Sequence, residues 1–406
     1  MEVQELEPQE TSVRSSDEMP GDLKQRAKAA AAVAAAHADS VDGEGRFPQE
    51  SFAEIKAQGL LGIMVPTELG GEGASLGDVV DICYQLGQSC SATGLIFAMH
   101  QIKVGCVVRH AKGSAAIAGI LRRLAQEQFL FASSTTEGKG GGNVRSSEAP
   151  IERDGDRISL NRQATVISYG RYADGIVTTA RRDADAAASD QVLTVLLKSD
   201  YTLEPLRGWD TLGMRGTCSE GFTLKAEADA GQVLPDSYEK IHGQTMVPFA
   251  HLTWGAVWAG IAAGATARAQ GFLRKAARRG GQLPPGAPHF TKALSTLRTL
   301  RGLLASSLRS FESVMDEPEA LTSLGFQSMI TLTKVEASEL ATATVLSALR
   351  ACGLTGYRND SEFSIGRHLR DVLSSPIMIN NDRILANQAS SSLLTALPDS
   401  VQDPRP

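Results

Sequence analysis

The stretch Phe131-Ala-Ser-Ser-Thr-Thr-Glu-Gly-Lys-Gly-Gly-Gly-Asn-Val144 changes character halfway along its length. Its first half, from Phe131 to Thr136, is rich in residues that favour a β-strand. Its second half has four glycines within five positions. Glycine adds no side chain, and the N–H groups of such a loop can cradle an anion. We interpret the stretch as a strand that ends where backbone lies against a flat or anionic ligand, with a flexible surface loop as the alternative.

The overall composition is that of an ordinary globular protein and excludes several classes of function. The chain has 406 residues, of which 42% are hydrophobic and 21% charged, with a formal net charge of -6. This balance argues against a general nucleic-acid or membrane-surface binder. We find no apolar run near the roughly 20 residues that span a bilayer. The five cysteines form no CxxC pair, so we expect no metal site, no disulfide framework and a cytoplasmic protein.

Hydrophobic periodicity divides the chain into three domains between two polar ends. Residues 1–20 predict a disordered leader and residues 397–406 a frayed tail. Residues 21–128 have apolar residues at helical spacing, residues 129–240 contain short β-branched segments, and residues 241–396 contain long helical segments with short connections. We therefore predict an α+β fold that is mostly α. It has an N-terminal helical domain, a β-barrel-like middle domain and a C-terminal four-helix bundle. The bundle helices are predicted at residues 247–279, 289–315, 323–352 and 365–394.

This order of domains, together with two local motifs, resembles the acyl-CoA dehydrogenase superfamily. Thr136-Glu-Gly-Lys-Gly-Gly-Gly-Asn143 is similar to the family's Thr-Glu-Pro-Gly-Ala-Gly-Ser-Asp segment, which runs beside the flavin ring. Val166-Ile-Ser-Tyr-Gly170 is similar to the later Trp-Ile-Thr-Asn-Gly strand, which closes over N5 of the ring. The resemblance covers about residues 35–389. It implies FAD as cofactor, with FMN or reduced flavin from a partner as alternatives, and a homotetramer or dimer whose cofactor site is shared between subunits.

The resemblance also implies individual cofactor contacts. Thr136 would bond the pyrimidine edge of the ring, since a hydroxyl both donates and accepts. Ser168 would face N5 and steady charge on the reduced ring. Gly353 and Gly356, in a turn similar to the family's Gly-Gly-x-Gly-Tyr, would let the diphosphate of a neighbouring subunit's cofactor approach, and a glycine there also suits a helix C-cap. The complete predicted set is Phe131, Ser133, Thr135, Thr136, Gly141, Gly142, Ile167, Ser168, Gly353 and Gly356.

For an acyl thioester substrate, the resemblance implies contacts with Thr93, Met99, Gly142, Arg215, Trp254, Ile379 and Asn380. Arg215 lies in Trp209-Asp-Thr-Leu-Gly-Met-Arg-Gly-Thr-Cys-Ser219, which is similar to the family's Met-Gly-x-Arg-x-Thr/Ser-x-Ser loop. Its guanidinium could reach a phosphate or carboxylate, although a role in holding the β domain together is the preferred interpretation. Arg367-His-Leu-Arg-Asp371 matches the family's Arg-x-x-Arg-Asp, and we interpret Arg370 and Asp371 as a structural pair near the cofactor.

Two departures from the family pattern bear on mechanism. The family's Arg-x-x-Phe-Gly signature has no aromatic counterpart in residues 278–285, so we expect the adenosine half of FAD to be held differently, weakly or not at all. The family's catalytic Glu, about eight residues after the Arg-Asp pair, is replaced by Met378-Ile-Asn-Asn381, and the nearest acid is Asp382. Removal of an α-proton needs a base within hydrogen-bond reach. Some relatives carry the base on the first bundle helix, so His251 is the predicted catalytic residue, with His100 as second candidate.

Three functions therefore remain open. The first is an FAD-dependent oxidoreductase that oxidises the α,β-bond of an acyl thioester, bound to CoA or to a carrier protein, and works with an electron-transfer flavoprotein. The second is a flavin-dependent monooxygenase or oxidase on the same fold, served by a flavin reductase and favoured by the missing Glu. The third is a non-catalytic partner subunit of a hetero-oligomer.

Overall fold

The computed structural model describes residues 22–137, 144–280 and 282–394. The predicted leader, the predicted tail and the glycine loop with Gly141 and Gly142 lie outside these residues.

The N-terminal domain is helical, as the periodicity predicts. It contains α1 (Leu23–Glu44), α2 (Gln49–Ala57), α3 (Leu76–Ser89), α4 (Ser91–His110) and α5 (Ala115–Glu127). The α1 helix begins where the Asp22 side chain accepts a hydrogen bond from the backbone N–H of Gln25, and it ends at Gly45 with φ of 63°. These are a standard N-cap and a left-handed C-cap.

The middle domain consists of two small sheets that are linked at their edges. Its strands are β1 (Phe131–Ser134), β2 (Glu152–Asp154), β3 (Arg157–Ile167), β4 (Gly175–Arg181), β5 (Gln191–Leu197), β6 (Tyr201–Arg207) and β7 (Glu220–Asp229). One sheet has the order β1-β4-β5 and the other β2-β3-β7-β6. The β1–β4 pair is parallel, whereas β3 and β7 are antiparallel. A bridge between Glu137 and Ala164 joins the two sheets, which gives the domain the expected barrel-like form.

The C-terminal domain is a helical bundle around one long central helix. The short α6 (Tyr238–Ile241) and a π-helical turn (His242–Met246) lead into α7 (Val247–Gly280), which is followed by α8 (Ala287–Val314), α9 (Pro318–Thr322) and α10 (Leu324–Cys352). The α7 helix also packs on α3 of the N-terminal domain. A Cβ atom at Gly260 would lie 2.3 Å from the Tyr84 carbonyl oxygen, so only glycine permits this approach.

The predicted fourth bundle helix at residues 365–394 is wrong in its continuity. The chain forms α11 (Leu354–Tyr357), then α12 (Gly366–Val372), and resumes as α13 (Asn381–Ser392). Pro376 lies in the interruption and cannot continue a helical hydrogen-bond ladder. Ile379 has φ of 50°, a left-handed conformation that a β-branched residue rarely adopts. The segment where the family's base would lie is therefore an irregular turn.

Two helical segments are long and apolar enough to cross a membrane, namely Ser91–His110 and Tyr238–Arg279. The expectation that no segment approaches that length was therefore wrong. In both segments 89% of the apolar window is buried inside the protein, and the core helices of soluble proteins pass the same test.

Candidate functional site

The two motifs singled out in the sequence lie side by side. The β1 strand leads to Glu137, which pairs with Ala164 of β3, so Thr136 lies close to the residues that precede Ser168. The hydroxyl of Tyr169 also donates to the Phe131 carbonyl at 3.0 Å. The pairing of β3 with β7 shifts register between Ala164 and Ile167. Such bulges redirect side chains and are frequent beside functional sites.

A chain of hydroxyl groups ends at Ser168. Ser219 Oγ lies 2.8 Å from Thr217 Oγ1 and donates to Ser168 Oγ at 2.7 Å. Because Ser168 Oγ accepts this bond, its own hydrogen remains able to donate. Ser168 is 6% exposed, so this hydroxyl is a preoriented donor in a largely desolvated place.

His100 has a structural role, which removes it as a candidate base. Its ring lies between two backbone groups: Nε2–H donates to the Leu61 carbonyl at 2.9 Å, and Nδ1 accepts from the Phe131 N–H at 2.9 Å. Burial is the main cause that lowers the pKa of His100 to about 4. Both ring nitrogens are thus engaged, and the residue joins α4 to β1.

His251 is arranged quite differently. It lies on α7, is 5% exposed, and its Nδ1–H donates to the Ile330 carbonyl of α10 at 3.0 Å. That bond fixes the tautomer, so Nε2 carries a lone pair. Burial is the main cause that lowers the pKa of His251 to about 4, and the ring is therefore neutral near pH 7. Among the catalytic candidates, His251 alone has a ring nitrogen left to accept a proton within the described residues.

The surroundings of His251 contain further unsatisfied or basic groups. Trp254 follows His251 by three residues on α7, and the centroids of the two rings are 6.2 Å apart. The buried Nε1–H of Trp254 has no hydrogen-bond partner in the described part of the chain. His242, in the π-helical turn, packs edge-on against Tyr238 at 5.6 Å. Burial, followed by the charges of Arg145, His251 and Lys103, lowers the pKa of His242 to about 3. π-Helical turns are frequent at functional sites.

The turn that replaces the family's Glu segment is held by a buried lysine. Lys334 of α10 is 0% exposed. Its Nζ donates to Asn381 Oδ1 at 2.7 Å and to the Ile379 carbonyl at 3.2 Å. Burial lowers the pKa of Lys334 to about 8. Asp382 is exposed, and the Asn380 side chain accepts from the Arg383 N–H at 3.2 Å, so this turn brings no buried carboxylate of its own to the site.

The remaining predicted residues are dispersed. Thr93 is fully buried and Met99 half-buried on α4. Arg215 lies against the end of α1, where a Cβ atom at Gly45 would be 3.6 Å from Arg215 Nη2. Gly353 ends α10 with φ of 56°, and Gly356 is buried against Cys352.

Arg370 and Asp371 do not pair with each other, contrary to the interpretation above. Arg370 forms an ion pair with Asp42 of the N-terminal domain. Asp371 Oδ1 accepts from the Met214 N–H of the middle domain at 2.7 Å. The two side chains therefore point to different domains, and each ties α12 to one of them.

A surface pocket of about 580 Å³ adjoins the π-helical turn that contains His242. It lies between the loop before β5, α6 and the π-helical turn, and its lining includes Arg145, Ser189, Tyr238 and His242. No group of three or more His, Cys, Asp or Glu side chains that could hold a metal ion occurs among the described residues.

Comparison with known proteins shows what this chain is similar to. A model of the acyl-CoA dehydrogenase N-terminal domain matches residues 17–127. A probable acyl-CoA dehydrogenase of Mycobacterium leprae is 25% identical over 89% of this chain and 91% of its own. A 3-sulfinopropanoyl-CoA desulfinase of Paraburkholderia xenovorans is 26% identical over 92% of this chain and 95% of its own.

Solved structures with the same fold include FMN-bound TdsC of Paenibacillus sp. A11-2, with a TM-score of 0.80 and 16% identity over 92% of this chain and 98% of that one. Butyryl-CoA dehydrogenase of Megasphaera elsdenii has a TM-score of 0.74 and 17% identity over the same shares, 92% and 98%. These likenesses define the fold. The matched domain and the relatives show that the chain is similar to acyl-CoA dehydrogenases over most of its length.

Several residues of the site escaped the sequence analysis. Lys103, His242 and Lys334 belong to no motif, and Lys103 and Lys334 fall in helices where a lysine suggests a solvated face. Only the packing of α4, α7 and α10 shows that these two ammonium groups are buried. Ser219 ends the motif that contains Arg215, but that motif does not predict its bond to Ser168.

Proposed function

We propose that the chain is a flavin-dependent oxidoreductase that oxidises the α,β-bond of an acyl thioester, with His251 as the base. One observation carries this proposal: the Nδ1–H bond of His251 to Ile330 leaves Nε2 as a neutral, buried proton acceptor. It lies on the helix where the family resemblance puts an alternative base. The missing Glu is therefore compatible with turnover.

The residues present fit a flavin. Ser168 offers a hydroxyl hydrogen at the end of the Ser219 chain, and the adjacent β1 strand brings Thr136 to the same edge of the domain. Trp254 Nε1 is a buried donor that needs an acceptor. A bound flavin would supply the acceptor for the hydride from the β-carbon. Ser168 would hold the ring edge, and Thr136 its pyrimidine end.

The chain's own part in the reaction is proton removal. An α-proton placed within hydrogen-bond reach of His251 Nε2 would pass to that atom, and the Ile330 carbonyl would stabilise the resulting imidazolium through Nδ1–H. A positioned base of this kind contributes roughly 10²–10⁴-fold to a rate. Burial of the site excludes water, which strengthens these electrostatic contacts.

A flavin-dependent monooxygenase on the same fold is the second candidate. It is favoured by the turn at Ile379, which has no buried carboxylate and accepts a hydrogen bond from Lys334 of α10. A buried neutral histidine also suits a site that must hold a substrate without ionising it. The likeness to FMN-bound TdsC supports this alternative at the level of the fold.

Dependence on oxygen separates the two candidates. Purified protein would be incubated with straight-chain acyl-CoAs and an artificial electron acceptor without O₂, and in parallel with O₂ and supplied reduced FMN. We expect enoyl-CoA in the first reaction and no requirement for O₂. Product only in the second reaction would favour the monooxygenase, and a bound flavin without product in either would favour the non-catalytic subunit.

Assembly and location are also proposals. Leu354 and Tyr357, next to Gly353, are each 74% exposed, and apolar side chains exposed so close together mark protein contacts. We therefore propose a homo-oligomer, tetramer or dimer, that buries them. Electrons would leave to an electron-transfer flavoprotein. All five cysteines are free and buried, which supports a reducing cytoplasmic location.

A further inference from the structure

We infer that the substrate's acyl chain ends in an oxyanion, either a carboxylate or an oxyanion of sulfur, and that this group binds between Lys103 and Tyr238. This inference rests on the proposed function and adds the substrate class. It follows from two buried donors that share one poor acceptor.

The two donors meet at a thioether. Lys103 Nζ donates to Met246 Sδ at 3.5 Å, and the Tyr238 hydroxyl donates to the same sulfur at 3.3 Å. Lys103 and Tyr238 are 3% and 2% exposed. Thioether sulfur is a weak acceptor, whereas an ammonium offers three N–H donors. No other hydrogen bond of Lys103 is found within the described residues, so its ammonium is poorly satisfied for a buried group.

A second buried cation, Arg162, acts on Lys103, and the carboxylate beside Arg162 is already engaged. Burial lowers the pKa of Lys103 to about 8; nearby Cys106 opposes this shift and the Arg162 guanidinium adds to it, so the ammonium is mostly charged at pH 7. Arg162 Nε and Nη2 lack hydrogen-bond partners in the described part of the chain. Glu137 is 3.9 Å from Arg162 Nη2, but it already accepts bonds from Ser147, Glu148 and Ala149. A buried cluster of this kind is costly unless an anion completes it.

The position of Lys103 connects it to the reactive region. Lys103 follows Met99, a predicted substrate contact, by four residues on α4, so the two side chains share a helix face. Met246 belongs to the π-helical turn that carries His242 and leads to His251. The two oxygens of a terminal oxyanion can accept from Lys103 Nζ and Tyr238 Oη together, with Met246 moved aside, because its side chain is flexible.

The test compares two acyl-CoAs of equal length. Binding of succinyl-CoA and butyryl-CoA to the holoenzyme would be measured by calorimetry for the wild type, Lys103→Met, Tyr238→Phe and the surface control Lys225→Met. Lys225 pairs with Glu204 on the exposed sheet. We expect the wild type and the control to prefer succinyl-CoA by roughly 10- to 100-fold, as for a charge-assisted hydrogen bond. Lys103→Met should lose this preference while its affinity for butyryl-CoA is kept.

A second readout guards against misfolding. Without ligand, Lys103→Met should have a Tm equal to or above that of the wild type, because an unpaired buried charge is removed. Equal affinities of the wild type for the two acyl-CoAs would overturn the inference and leave the thioester proposal standing. If neither acyl-CoA binds, the thioester proposal fails, and binding of free succinate then tests the oxyanion site by itself. Succinate binding that Lys103→Met abolishes supports the site. Absence of such binding overturns it.

Discussion

His251 and Ile330 are joined across the α7–α10 interface by one hydrogen bond, from Nδ1–H to the carbonyl oxygen at 3.0 Å. The acceptor is a carbonyl, so the tautomer is set and Nε2 is unprotonated. Burial keeps the pKa of the ring at about 4. The protein thus holds a buried, neutral imidazole on α7, and the turn at Ile379 brings no buried carboxylate.

Replacing this base should stop proton removal without removing the cofactor. His251→Ala is expected to slow exchange of the acyl-CoA α-proton with D₂O by roughly 10²–10⁴-fold, as measured by NMR of butyryl-CoA. The flavin spectrum should be unchanged, because Thr136 and Ser168, the proposed contacts to the flavin ring, lie on the middle domain.

The matched control is His289→Ala, a half-buried histidine on α8. It should leave exchange at the wild-type rate. Unchanged exchange in His251→Ala would assign the proton transfer to another group.

The hydroxyl chain predicts a graded effect on flavin affinity. Ser168→Ala should weaken flavin binding about fivefold, since a hydrogen bond contributes roughly 1 kcal/mol. Ser219→Ala should weaken it less, because it only frees Ser168 from its donor. Titration of apoprotein with FAD and FMN measures both effects. Ser159→Ala, on the β3 strand that precedes Ser168, serves as control, and an affinity equal in all four proteins would exclude Ser168 from the cofactor site.

Lys334 and Asn381 should be strongly coupled. Removing either partner takes from the other a buried, charge-assisted hydrogen bond. A double-mutant cycle with Lys334→Met and Asn381→Leu should therefore give a coupling free energy of about 1–3 kcal/mol in urea unfolding. The exposed pair Lys225–Glu204, at 2.7 Å, should give less than about 1 kcal/mol. Additive effects at Lys334 and Asn381 would mean that the turn at Ile379 is held by other contacts.

Buried histidines should make the protein sensitive to acid. The pKa of His242 is about 3 in the folded state and that of an ordinary histidine about 6.5. The unfolded chain therefore binds the proton first, so stability is complete above pH 6.5 and falls as the pH drops towards 3. Between pH 6.5 and 5 this one histidine lowers the free energy of unfolding by up to about 2 kcal/mol.

Thermal unfolding against pH measures this effect. His242→Gln should have a shallower fall in Tm below pH 6.5 than the wild type, whereas His289→Gln should follow the wild type. Identical curves for wild type and His242→Gln would show that the ring already titrates normally in the folded protein.

The exposed apolar pair next to Gly353 should control assembly. Leu354→Glu is expected to dissociate the wild-type oligomer, because the charge would be buried at the contact. Leu206→Glu, at a side chain 55% exposed on β6, should not. Light scattering gives the masses, and a monomeric wild type would contradict the proposed assembly.

The sequence predicts the contacts that depend on the order of strands. It does not predict which polar side chains become buried when helices pack together. Thr136 and Ser168 belong to recognisable strand segments, so their proximity follows from the fold. The broken fourth helix was missed because helical periodicity continues through Pro376 and outweighed that single breaker. Lys103 and Lys334 were missed because a lysine in a long amphipathic helix usually faces water, and only the crossing of α4, α7 and α10 buries them.

The most direct test of the central proposal is an anaerobic titration of the purified protein with a panel of acyl-CoAs while the flavin spectrum is followed. We expect the wild type to contain or take up flavin and its visible band to bleach without O₂, whereas the band of His251→Ala persists. A bound flavin that no acyl-CoA bleaches would contradict the dehydrogenase function, and a protein that binds no flavin would contradict the cofactor on which the account depends.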